Sequence, residues 1–233
     1  MKNKFTVFVI ALFCSSLCKA QNKWFTVYDD SAALVKTAEV ITEKFTADFK
    51  AIKPGLKLSV SVVKNTTPYL IFIYHDTINL HLWSEVVPQQ KDFFTEVSGG
   101  EKAGKEVFGL FFNGFYVVHE IGHAVTDLLG KKYDNAYASE YDANILSMLY
   151  WKKVGEADKL LRCYQYAKIM LGTLKNPVPA GEDHGAYITK HYAELSSDPY
   201  KYGYIQFRQF VEIFEATDLP DFDVFIKNEL KMK

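Results

Sequence analysis

Between Asp30 and Phe49 the apolar residues Leu34, Val35, Ala38, Ile41, Phe45 and Phe49 recur at spacings of three and four, behind Ser31, a residue suited to capping a first turn. The pattern predicts an amphipathic helix that Pro54-Gly55 closes. The period then changes from three-to-four to two. Residues 56–62 alternate, 69–74 form a short apolar run rich in β-formers, and 77–83 alternate again, so three successive strands are expected. Residues 88–94 begin a short helix that Ser98-Gly99-Gly100 breaks.

Residues 102–129 contain no proline and are apolar nearly all round from Val107 to Val118, which predicts one long helix buried in the middle of the domain. Gly130 suits the residue just past its end. A second helix is expected from a start between Asn135 and Ser139 to about Val154, with Ser139 and Asp142 spaced like a capping box. Further helices are expected over roughly 156–174, 187–195 and 203–215, with a Pro- and Gly-bearing loop at 176–185. No composition shift marks a second domain. The predicted class is α+β, with one small mixed sheet at the N-terminal side and helices after it.

Composition and charge narrow the options. The 233 residues carry 27 Lys+Arg against 28 Asp+Glu and are 48% hydrophobic, which excludes a disordered chain and gives no basic stripe for nucleic acid. Residues 1–20 read as a secretory signal peptide: Lys2 and Lys4 precede an apolar run from Phe5 to Leu17 that ends in Cys18-Lys19-Ala20. The run is short for a membrane span. A mature chain of residues 21–233, secreted or periplasmic and without stable membrane insertion, is expected. Lipid attachment at Cys14 or Cys18 is the less favoured route, since neither follows the sequence such processing wants. Cleavage leaves Cys163 alone of three cysteines, so no internal disulfide can form, and its place in a helical apolar stripe reads as a buried small hydrophobe.

The residues that carry chemistry are His119-Glu120-Ile121-Gly122-His123, late in the long apolar segment. On a helix, positions i and i+4 lie about 40° apart around the axis and about 6 Å apart along it, so the two imidazoles can meet on one ion. Glu120 sits beside that face, where a carboxylate can take a proton from activated water. A catalytic zinc usually has three protein ligands, so a third donor is needed. Glu140 follows His123 by seventeen residues, on a helix that returns beside the first. Asp127, Asp134, His184 and His191 are the other sources.

Residues 118–127, Val-His-Glu-Ile-Gly-His-Ala-Val-Thr-Asp, resemble the active-site helix of thermolysin-like gluzincin metallopeptidases. Glu140-Tyr141-Asp142-Ala143-Asn144 resembles the Glu-x-x-Ala-Asp segment of several zinc peptidase families. The likeness spans about thirty residues of 233 and implies a zincin-like fold. It also implies one zinc per chain on His119, His123 and Glu140, Glu120 as general base, and a sheet edge that binds substrate. Thr126 and Leu129 stand where the longer metzincin pattern wants Gly and His, so that arrangement is excluded. Asn144 departs from the family's Asp: it can still accept the Nδ1–H of a ligand histidine but brings no negative charge, and Asp127, one turn beyond His123, reads equally as a partial replacement for that charge or as simply a polar residue near a helix end.

Candidates for a donor to the oxyanion of amide hydrolysis are His184, His191, Tyr202 and Tyr204, whereas His75 and His81 read as structural. The chain is therefore expected to be an exported zinc metallopeptidase cleaving a peptide or protein substrate, with residues 77–83 as the edge against which an extended peptide pairs. The alternative is a noncatalytic binding module that keeps the zincin scaffold for a protein or carbohydrate partner.

Overall fold

The computed structural model describes residues 24–229; the expected leader, its cleavage point, Cys14 and Cys18 lie outside the described residues. Helix α1 (Ser31–Ile52) forms as its periodicity requires, burying Leu34, Ala38, Ile41, Phe45 and Phe49. Its cap is Asp30 rather than Ser31: the Asp30 carboxylate accepts the Ala33 N–H at 2.8 Å.

The three strands are β1 (Ser61–Lys64), β2 (Ile71–Tyr74) and β3 (Thr77–Leu80), in the order β1-β3-β2. β1 runs parallel to β3 and β2 antiparallel to it, so the sheet is mixed. This corrects the expectation that residues 77–83 form an edge. β3 is the central strand, its Ile78 and Leu80 fully buried, and β2 is the edge. Alternation over 56–60 does not become strand because β3 pairs with β1 only from Ser61↔Thr77 onward. β2 and β3 join through His75 and Asp76 alone, both left-handed (φ 46° and 56°), as a two-residue hairpin turn demands.

The predicted long helix is a continuous helical path in three parts: α3 (Glu101–Leu110), a π turn over Phe111–Phe115, and α4 (Tyr116–Leu128). The π turn packs on the segment that enters α1. Gly114 lies under the Phe25 ring, where an added Cβ would come within 2.4 Å of Phe25 Cδ1, and Asn113 Nδ2 donates to the Thr26 carbonyl at 2.9 Å. Wider hydrogen bonding here inserts a residue into the helix and turns the face that α4 presents. α2 (Pro88–Ser98) packs against α3 after the left-handed Gly99 and Gly100.

Helix α5 (Ala136–Lys153) is capped by Asn135, whose Oδ1 accepts the Ala138 N–H at 2.8 Å. The capping box expected of Ser139 and Asp142 is therefore not used; Ser139 lies inside the helix, and Asp142 pairs with Lys131 and the Tyr133 hydroxyl. α6 (Ala157–Thr173) follows. The helix expected over 187–195 is two short ones, α7 (His184–Lys190) and α8 (Tyr192–Ser197), and α9 (Pro199–Glu215) starts earlier than expected because Asp198 caps it and Pro199 suits its first position. α10 (Phe222–Val224) leads into a closing π turn, Phe225–Glu229. The main core runs from Trp24 to Ile226, and Val178, Ile188, Leu195 and Ile205 form a second, smaller cluster. Cys163 is fully buried in it with its thiol pKa pushed up by desolvation. No helix among the described residues is long and apolar enough to cross a membrane.

Candidate metal centre

α4 and α5 are packed closely because the residues between them are small. A Cβ added to Gly122 would lie 3.2 Å from Ala143 Cα, so the glycine within His119-Glu120-Ile121-Gly122-His123 sets the spacing of the two helices. That spacing brings Glu140 of α5 to the imidazoles of α4. His119 Nε2 and His123 Nε2 are 3.1 Å apart, Glu140 Oε2 lies 3.3 Å from the first, and Glu140 Oε1 lies 3.6 Å from the second. Ligands held about 2.0 to 2.1 Å from a tetrahedral ion are separated by about 3.3 Å, so these edges fit one zinc-sized ion. Among the described residues, His119, His123 and Glu140 form the cluster able to hold a metal.

Electrostatics favours the same use. Burial, helped by the neighbouring His119, pushes the His123 pKa down to about 4, which keeps that ring neutral and its lone pair available. Burial opposes charge on Glu140 and on His119 alike. Their contact with each other outweighs it, taking Glu140 down to about 2 and His119 upward. Glu120, 7% exposed, is pushed up to about 7 by burial, with His119 and the Ile73 backbone N–H opposing the rise.

These groups line a cavity of about 840 Å³. One wall is residues 68–73, including β2; another is aromatic, with Phe93, Phe94, Phe112, Tyr116 and Phe207. Glu120, Asp127 and Glu140 carry its charge, and among the described residues no lysine or arginine lines it.

Of the four oxyanion candidates, the cavity takes in only Tyr202, whose hydroxyl lies 3.4 Å from Glu140 Oε2. His184 is held by Arg208 at 2.7 Å, His191 stacks on Tyr187 with ring centroids 4.4 Å apart, and Tyr204 packs against the core, all outside the lining. Asp127 is exposed on the rim, whereas Asn144 is buried with its Oδ1 2.9 Å from His119 Nδ1.

Sequence reasoning missed Tyr192, Gln206 and Gln209. Tyr192 lines the cavity beside Tyr202. Gln206 Nε2 donates to Glu140 Oε2 and to the Tyr202 hydroxyl, both at 2.9 Å. Gln209 Oε1 accepts from Asn144 Nδ2 at 2.9 Å. The available signal was the spacing of Tyr202, Gln206 and Gln209, which puts three uncharged polar groups on one face of α9. No family model matches the chain, and no curated protein or solved structure matches it either.

Proposed function

We propose that the chain is an exported zinc-dependent metallopeptidase of the zincin-like, gluzincin type, cleaving internal bonds of extended peptides. The observation that carries the proposal is the convergence of the two imidazole Nε2 atoms and the Glu140 carboxylate at the spacing one zinc-sized ion needs, with Glu120 beside them. A zinc ion held by His119, His123 and Glu140 would supply a Lewis acid that polarises a carbonyl and acidifies water. Glu120, with its pKa near neutrality, accepts a proton from water and returns it to the leaving amine. The Tyr202 hydroxyl, kept protonated by burial, is the donor placed to meet a developing oxyanion.

The hairpin supports the choice of substrate. Tyr74↔Thr77 flank a two-residue turn and Phe72↔Asn79 is the next bonded pair, so the N–H and C=O groups of Ile71 and Ile73 project from the open edge of β2. The Ile73 N–H already meets Glu120, which places that edge along the cleft. An extended peptide pairing there would lay its side chains toward the aromatic wall, favouring bulky apolar residues. The wholly acidic charge of the lining disfavours capture of a terminal carboxylate, hence the internal bond.

The test is cleavage of a peptide library by zinc-loaded wild type and Glu120→Gln, with zinc content measured in both. Cleavage by the wild type, lost in a variant that keeps its zinc, supports the proposal. Failure of the zinc-loaded wild type to cleave any peptide overturns the enzyme reading in favour of a binding module.

A further inference from the structure

A ligand histidine works only if its proton is on the ring nitrogen away from the ion, and two buried amides of α9 bear on that choice here. The chain of contacts starts at a backbone oxygen. Tyr137 C=O can only accept, so the Gln209 atom 3.2 Å away is its NH₂, and Gln209 Oε1 must face the other way, toward Asn144. An amide oxygen likewise only accepts. Asn144 therefore presents its NH₂ to Gln209, and its Oδ1 is left facing His119 Nδ1 at 2.9 Å. That leaves His119 Nδ1 as the donor.

A second branch gives the same answer from a separate anchor. The Glu140 carboxylate takes the Gln206 NH₂ at 2.9 Å, which turns Gln206 Oε1 toward Asn144 Nδ2 at 3.4 Å. Two acceptors with no freedom to reverse thus impose one orientation on Asn144. The network is closed to solvent: Asn144 is 1% exposed, Gln209 0% and Gln206 6%. A reversed amide here would set two acceptors against each other with no water to relieve them.

We infer that Gln209, supported by Gln206, is a positioning residue that acts through Asn144 to hold His119 as the Nδ1–H tautomer, with Nε2 free to bind a metal ion. The arrangement also accounts for an asparagine at position 144, because the two glutamine oxygens call for a donor there. The inference rests on the metal-site part of the proposed function and is independent of whether the protein hydrolyses peptides.

The experiment uses protein labelled with ¹⁵N at histidine and loaded with zinc, and a zinc competition titration on the same samples, because without the ion the Glu140 carboxylate, 3.3 Å from His119 Nε2, competes for the ring proton. Wild type should show zinc on His119 Nε2 and a slowly exchanging, hydrogen-bonded proton on Nδ1. Gln209→Met keeps the volume and removes both hydrogen bonds, so a packing role alone would leave the readouts unmoved. It should give a fast-exchanging Nδ1 proton and zinc binding about 10-fold weaker or more, the scale seen when a partner of a ligand histidine is lost. Wild-type protein with zinc on Nδ1, or with a freely exchanging Nδ1 proton, overturns the inference whether or not the variant folds, and wild type that takes up no zinc defeats the metal-site reading and the inference with it. A folded Gln209→Met with unchanged Nδ1 exchange and zinc affinity also overturns the inference.

Discussion

Gly122 lies closely against Ala143: a Cβ at residue 122 would stand 3.2 Å from the Ala143 Cα and 3.4 Å from its Cβ, tighter than ordinary contact by a few tenths of an ångström. Two opposing effects follow from Gly122→Ala. Helix propensity favours alanine by up to about 1 kcal/mol, while overpacking against backbone costs about 1 to 3 kcal/mol. The net stability change should be small, but the helices must part by a few tenths of an ångström, and Glu140 moves with α5. Zinc affinity should therefore fall severalfold while the melting temperature shifts by only a few degrees. Isothermal titration beside thermal melts checks this, and unchanged affinity would count against the spacing role.

The lone cysteine of the described region gives a second test. Cys163 is fully buried, its Sγ 3.9 Å from the Leu110 carbonyl, and desolvation raises its pKa well above the ordinary thiol value. Native protein should leave Cys163 unmodified by a thiol reagent at pH 8, and denaturant should make Cys163 reactive. Rapid labelling of the native state would place Cys163 at a surface and contradict the packing of α6 on the core.

Spacing along the chain carries part of the site. His119 and His123 follow from i, i+4 geometry, and Glu140 from a helix that has to return. The sheet order is not legible in the sequence: alternation predicts strands and says nothing of which is central, and β3 becomes so by taking both neighbours. The π turn is hidden because Phe111, Phe112 and Phe115 lie in a segment apolar on every face, where an inserted residue breaks no visible pattern. Gln206 and Gln209 escape notice because a glutamine in a helix reads as solvated surface until a buried partner, here Asn144, is known.

Asn144→Asp restores the residue type of the resembled peptidases and should nonetheless be unfavourable here. A carboxylate oxygen would face Gln209 Oε1 across the present 2.9 Å contact and Gln206 Oε1 across the 3.4 Å contact. Relief requires Gln209 to reverse, which sets its oxygen against Tyr137 C=O. A loss of about 1 to 3 kcal/mol in metal-free stability is expected, the scale of a buried acceptor left unpaired. Urea unfolding measures it, and a variant as stable as wild type would mean that the glutamines reorient freely.

The raised pKa of Glu120 predicts a pH dependence with a definite sign. The ordinary value is 4.5 and burial raises it to about 7, so below about pH 4.5 both folded and unfolded chains hold the proton. Between these values the unfolded chain releases it first, and folded-state stability is lost as pH rises. The loss is complete above about pH 7 and amounts to at most about 3 kcal/mol. Glu120→Gln does not titrate. In metal-free protein the variant should therefore gain on the wild type as pH climbs from 4.5 to 8, by urea unfolding, with no gain at pH 4. A difference that stays constant across this range would rule out the buried, proton-holding carboxyl.

The open edge of β2 gives a prediction that leaves the metal ligands and Glu120 untouched. The Ile71 N–H projects away from β3, because Phe72 and Tyr74 make the ladder bonds to Asn79 and Thr77. Proline at position 71 therefore removes one outward donor without breaking a β2–β3 hydrogen bond, the circumstance in which an edge strand tolerates proline. Loss of the partly buried Ile71 side chain should cost some stability, which Ile71→Ala reproduces while retaining the N–H. If an extended substrate pairs with this edge, Ile71→Pro should lower kcat/KM on long peptides roughly fivefold to tenfold below Ile71→Ala, the worth of about one net hydrogen bond. Substrates too short to reach Ile71 should be cleaved equally by the two variants. Equal rates on long peptides as well would show that substrate does not use the β2 edge, and the cleft would then hold its substrate through the aromatic wall of Phe93, Phe112 and Phe207.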